Sequence, residues 1–121
     1  MKKKIIVIDD EETVLAMTRT ALGADYELTT ANSGQEALNL FSHGYIPHLV
    51  LLDLNMPEMN GWDTFSGIRD ISKLNDTPVA IYSTSEDPDD KTRAQKMGAA
   101  DFIHKPAKKA DLLAKVAILI N

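Results

Sequence analysis

The 121-residue chain contains no cysteine. That excludes a disulfide framework, a thiolate metal site and a cysteine nucleophile. It also has no apolar run near the ~20 residues needed to span a bilayer. The N-terminus begins with three lysines, but the apolar run behind them stops at Ile5 to Ile8, and Asp9, Asp10, Glu11 and Glu12 follow directly. That run is too short for the core of a signal peptide. No membrane partner is expected, and the expected compartment is the cytoplasm. Basic charge is in deficit as well. Thirteen Lys and Arg against 18 Asp and Glu give a formal charge of −5. A surface of that sign repels nucleic acid, so no direct nucleic-acid partner is expected. What is present, 44% hydrophobic and 26% charged residues, is the balance of a folded soluble domain and not of a disordered tail. The length fits one domain over residues 1–121, since either half alone would fall near the lower limit for an independent core.

The element types alternate along the chain. Ile5-Ile6-Val7-Ile8 is a continuous β-branched run, the pattern of a strand buried on both faces. Val14, Leu15, Thr18, Ala21 and Leu22 recur at helical spacing, with Gly23 as a stop. Tyr26 to Thr30 reads as a short strand. Ser33 with Glu36 forms a capping-box pattern ahead of Ala37, Leu38 and Phe41. His48 to Leu52 is a second buried strand, and Asn60 can cap a helix carrying Trp62, Phe65, Ile68 and Arg69. Pro78 to Tyr82 is a strand with proline at its tolerated first position. Asp87-Pro88 supplies an N-cap and an N1 proline for a helix that stops at Gly98. That helix is poor in apolar residues, with only Ala94 and Met97 as clear core positions. Asp101 to His104 is a short strand, and Leu112, Leu113, Val116, Ala117 and Ile120 form the apolar face of a last helix. Five strands and five helices in strict order predict an α/β domain with a parallel sheet covered on both faces.

In such a sheet, ligands bind beyond the carboxyl ends of the strands. The first strand is followed by Asp9 and Asp10, the third by Asp53 and Asn55, the fourth by Ser83-Thr84-Ser85, and the fifth by Lys105-Pro106. If the first and third strands are neighbours, three carboxylates meet. Two like charges 4 Å apart repel by about 4 kcal/mol at an effective dielectric near 20, a conflict that a divalent cation removes. Oxygen-only ligation favours Mg²⁺ or a similar hard ion. Taken alone, Asp9-Asp10 reads equally well as a helix cap with first-turn acids, and Lys105 or Ser83 as surface and turn residues. Sharing one edge, they make up the parts needed to handle a phosphoryl group: a carboxylate nucleophile, a hard cation, an ammonium and a hydroxyl.

These residues resemble the receiver domains of two-component response regulators, in the single-domain form of the chemotaxis regulators. Asp9-Asp10 resembles the family's acidic pair. Asp53-Leu54-Asn55-Met56-Pro57, with Asn60-Gly61, fits the D-x-x-M-P-x-x-x-G phosphoacceptor segment. Pro78 to Ser83 resembles the strand ending in a switch Ser or Thr. Gly98 to Pro106 resembles the G-A-x-D-[FY]-[ILV]-x-K-P segment. The four motifs in order cover essentially the whole chain.

The resemblance implies a flavodoxin-like, doubly wound (βα)5 fold with a five-stranded parallel sheet in the order 2-1-3-4-5. It implies that Asp53 is the phosphoacceptor and that Mg²⁺ is the cofactor. Asp10 and Asp53 would ligate the ion directly, Asp9 through water and Asn55 through its backbone carbonyl. Ser83 and Lys105 would each contact a phosphoryl oxygen, and Phe102 would be an aromatic switch. The Lys105-Pro106 bond would be cis. Among the three consecutive hydroxyls Ser83 is favoured for the switch and Thr84 is next; threonine at 84, where the family has a small residue, is expected to narrow access to the site. Asn55 and Ser85 flank the expected water path.

The implied partners are a sensor histidine kinase or histidine phosphotransfer domain, and a downstream protein bound by the face of the fourth helix, fifth strand and last helix. Two other classes compete with a signalling phosphoacceptor. An Mg²⁺-dependent phosphohydrolase with an aspartyl-phosphate intermediate would carry a second carboxylate where this chain has Asn55. A flavodoxin-like mononucleotide-binding module would need a glycine-rich first turn, and the turn here is acidic. A receiver acting without phosphorylation is disfavoured, since every key position is filled. Ending at Asn121, the chain is compatible with a single-domain regulator, a phosphorelay intermediate or a piece of a longer regulator.

Overall fold

The computed structural model describes residues 2–120. Five strands, β1 (Lys4–Ile8), β2 (Glu27–Ala31), β3 (Leu49–Leu52), β4 (Val79–Ser83) and β5 (Asp101–His104), alternate with five helices. The helices are α1 (Glu12–Leu22), α2 (Gly34–Ser42), α3 (Gly61–Arg69), α4 (Pro88–Lys96) and α5 (Lys109–Ile120). All strand pairs are parallel, in the order β2-β1-β3-β4-β5. This is the flavodoxin-like doubly wound arrangement expected from the sequence.

The runs Ile5–Ile8 and Leu49–Leu52 are completely buried because helices cover both faces of the sheet. On one face Ile6, Ile8, Val50, Leu52, Val79 and Ile81 pack against Ala37 and Phe41 of α2, Phe65 and Ile68 of α3, and Ala94 of α4. On the other, Ile5, Val7, Leu49, Leu51, Ala80 and Tyr82 pack against Leu15 and Leu22 of α1 and Leu112 and Val116 of α5.

Caps fall where the sequence placed them. Ser33 accepts from the Glu36 amide, Asn60 from the Asp63 amide and Asp87 from the Asp89 amide. Several boundaries differ from expectation: β1 begins one residue earlier, at Lys4, and β3 one later, at Leu49. β2 and β4 each lie one residue later, and a short 3-10 turn, Ser72–Leu74, precedes β4. The β2 shift follows from pairing, since Lys4 sits beside Glu27 and Ile8 beside Ala31. The β4 shift draws Ser83 into the strand beside His104.

Helix α4 is attached differently from the others. Ala94 is its one fully buried side chain. Polar contacts supply the rest: Ser85 Oγ donates to Asp90 at 2.6 Å, and the Arg93 guanidinium lies 4.4 Å from the centroid of the Trp62 ring on α3.

Candidate functional site

Register brings the strand ends together. Ile8 and Leu52 are cross-strand partners, so Asp9 and Asp53 leave adjacent strands side by side. Asp53 donates its amide to Ile8 O and Asp9 donates its own to Ala31 O, both at 3.0 Å, which holds the two backbones at the sheet edge. One carboxylate oxygen from each of Asp9, Asp10 and Asp53 lies within 4.8 Å of the others. Asp9 and Asp53 are buried, and Asp10 is the solvent-facing member.

Lys105 enters from the β5–α5 connection, where its amide donates to Ser83 O at 2.8 Å and the following bond to Pro106 is cis. Its side chain is buried. The ammonium donates to Asp9 Oδ2 and stands 3.6 Å from Asp53 Oδ1. Three carboxylates against one ammonium leave the cluster short of positive charge. Oxygen donors of this density, with no nitrogen or sulfur ligand among them, fit a hard divalent cation.

The Asp53 carboxyl is pushed up to about 6. Burial is the main cause, and Asp9 and Asp10 add to it; Lys105 and the Asn55 amide, which donates to the carboxylate, work against it. Because the folded state holds this proton more tightly than the unfolded chain, stability falls as pH rises from about 4 to about 6, and the penalty is complete above that window. Asp53→Asn removes the buried charge. The metal-free variant should be more stable than the parent by on the order of 2–3 kcal/mol at pH 8, with the difference vanishing near pH 4. Urea unfolding at the two pH values without divalent ions checks this, and equal stabilities at pH 8 would contradict it.

The three hydroxyls after β4 separate clearly. Ser83 is completely buried, and its Oγ accepts from the Ser85 amide at 3.2 Å. Thr84 is exposed and lines a cleft of about 150 Å³ together with Tyr82, Lys105 and Pro106. Ser85 turns toward α4. Phe102 is half-buried beside Ile81 and packs on the same side of the sheet as Ala94. Asn55 is exposed, at the mouth of the site.

The three histidines stay away from the cluster. His43 Nδ1 contacts Asn39 O, His48 accepts from the Lys4 amide, and His104 is exposed, 3.5 Å from Glu86. Two contacts had no signal in the sequence: the Arg93–Trp62 stack and the Lys105 ammonium 5.4 Å from the centroid of the Tyr82 ring. Both need tertiary placement before they can be seen.

The chain as a whole has counterparts among known proteins. Residues 5–117 match the family model described as the response regulator receiver domain. The chain is 32% identical over 121 residues to the probable transcriptional regulator ycf27 of Guillardia theta, covering 99% of this chain and 46% of that protein. It is 33% identical over 119 residues to the transcriptional regulatory protein PrrA of Mycobacterium tuberculosis, covering 98% and 50%. The chain thus spans about half the length of these relatives. Among solved structures, the chemotaxis protein CheY4 of Vibrio cholerae superposes with a TM-score of 0.91 at 28% identity, covering 98% of this chain and 99% of that one. The phosphorylated cyanobacterial phytochrome response regulator RcpA gives 0.81 at 28% identity, covering 96% and 89%. With strand order, family match and relatives aligned along nearly all of this chain in agreement, this chain belongs to the response regulator receiver domain family.

Proposed function

We propose that this chain accepts a phosphoryl group on Asp53 from a phosphohistidine of a sensor histidine kinase or histidine phosphotransfer domain, and loses it slowly to water. The observation that carries the reading is the position of Lys105, whose buried ammonium touches Asp9 and stands beside Asp53 at the edge where β1, β3 and β4 end.

An Asp53 carboxyl near 6 is mostly ionised at neutral pH, as a nucleophile must be. A carboxylate oxygen of Asp53 attacks phosphorus, the bond from phosphorus to the histidine nitrogen breaks, and that nitrogen keeps the electron pair. Lys105 leaves Asp9 to pair with an equatorial oxygen, and Ser83 turns its hydroxyl toward another. Asp9, Asp10, Asp53 and the Asn55 carbonyl would hold Mg²⁺, which would supply charge neutralisation when bound.

Ser83 gives up the Ser85 amide as it turns, and Phe102 moves inward into the vacated space. The face of α4, β5 and α5 then presents a different surface to a downstream protein. Thr84 at the cleft mouth, with Asn55 and Ser85, sets how readily water reaches the acyl phosphate. The relation of RcpA, a receiver described in its phosphorylated form, supports the reading. The chain's site of action is the cytoplasm; among the described residues no helix is long and apolar enough to cross a membrane.

The protein acts here as a stoichiometric acceptor and not as a turnover catalyst. Mass spectrometry after acetyl phosphate with Mg²⁺ should show one added phosphate on the parent, and none on Asp53→Asn or when Mg²⁺ is chelated. Sustained turnover of an exogenous phosphomonoester would instead favour a phosphohydrolase.

A further inference from the structure

Tyr82 has no part in the reading above, yet it is placed against that site's cation. It is the residue before Ser83 on β4, its side chain lies on the α1 and α5 side of the sheet, and it is 7% exposed. The Lys105 ammonium, on a side chain 5% exposed, stands 5.4 Å from the centroid of its ring. Ammonium groups are attracted to the negative face of an aromatic ring, most strongly where water is excluded.

The two carboxylates that hold this ammonium change role in the proposed reaction. Asp9 and Asp53 are the carboxylates a divalent cation would share, and a dication beside them repels Lys105. The cleft of about 150 Å³ lined by Val14, Met17, Thr84 and Pro106 opens next to Lys105, so a displaced ammonium has room to leave for solvent. The ring, unlike these two carboxylates, is a neighbour that neither a cation nor a phosphoryl group recruits.

We infer that Tyr82 is a positioning residue: its ring face holds the Lys105 ammonium at the sheet edge, ready for a phosphoryl oxygen, when the carboxylates are otherwise engaged. The inference rests on Asp53 being the phosphoacceptor.

The test compares Tyr82→Leu, Tyr82→Met and Tyr82→Phe in the full chain. With acetyl phosphate and Mg²⁺, labelling of Tyr82→Leu and Tyr82→Met should fall about threefold to tenfold, while Tyr82→Phe, which keeps the ring face, rescues most of the rate. In a Lys105→Ala background the Tyr82→Leu change should add nothing, because the coupling partner is gone. A second readout needs no metal. Proton NMR should place the ε-methylene of Lys105 upfield of the other lysines in the parent and in Tyr82→Phe, and among them in Tyr82→Met. Equal rates for Phe and Met, or an undiminished effect of Tyr82→Leu without Lys105, would overturn the inference while leaving Asp53 as acceptor. Failure of the parent itself to be labelled at Asp53 would overturn both.

Discussion

Lys105→Ala should lower the rate of labelling by acetyl phosphate about 10²- to 10³-fold, the usual cost of removing one preorganised donor from a developing anionic centre. It should also weaken the metal-free fold by about 3 kcal/mol, because it leaves buried carboxylates without their cation. Asp9 and Asp53 are both buried, and Lys105 is the ammonium that touches the first and lies 3.6 Å from the second. Two effects then oppose each other on metal binding. The site loses a structural tie, which loosens it; it also loses a positive charge that competes for the same oxygens. The competition is the larger effect, since the ammonium donates directly to Asp9 Oδ2. Mg²⁺ should therefore bind Lys105→Ala more tightly than the parent and restore most of the lost stability. Calorimetric titration and urea unfolding with and without Mg²⁺ check the two halves, and weaker Mg²⁺ binding by the variant would contradict the competition. Lys105→Arg should not recover the labelling rate, because a planar fork cannot replace a compact ammonium between these oxygens.

Gly61→Ala should disturb fold and site together. Gly61 opens α3, and its amide donates to Leu54 O at 3.0 Å. A Cβ there would clash with Asp53 O and come within 2.6 Å of Leu54 Cα. Both are backbone atoms of the segment that carries Asp53, the proposed phosphoacceptor, so no side-chain rotation relieves the clash. Either α3 backs away or the end of β3 shifts. The expected loss is about 2–4 kcal/mol of stability. Labelling of the folded fraction should fall about 10²-fold, since an ångström of misplacement at a reacting group has effects of that size. Urea midpoints and labelling rates measured on one preparation separate the two losses. A variant with parental stability and rate would show that α3 is free to move there.

The sheet and the chemistry at its edge were legible for a common reason. Short β-branched or leucine-rich runs such as Ile5–Ile8 and Leu49–Leu52 fit central parallel strands, and residues after such strands gather at one edge whatever their distance in sequence. Lys105 and Asp9 are 96 positions apart and still meet. What escaped depends on neighbours. The sequence favours Ser83 among the three hydroxyls but ends the strand itself at Tyr82, and only the pairing of Ser83 with His104 extends β4 to it. Three residues of 3-10 turn at Ser72–Leu74 are too short to leave a period. The ring of Tyr82 reads as core filler until Lys105 is placed over it, and Arg93 reads as a solvated charge until α3 brings Trp62 beneath it.

The slender attachment of α4 sets an energy scale. Withdrawing a single alanine methyl from the interior costs roughly 1 kcal/mol, parting a partly exposed guanidinium from an indole about as much again, and giving up one hydroxyl–carboxylate bond about 1–3 kcal/mol. Such a total is within reach of the one to three charge-assisted hydrogen bonds that a new dianionic group can form. A gap of that size would leave a detached arrangement a minor state before any modification. The helix is therefore the part of the domain whose release would cost least, and one new dianion could supply about that much.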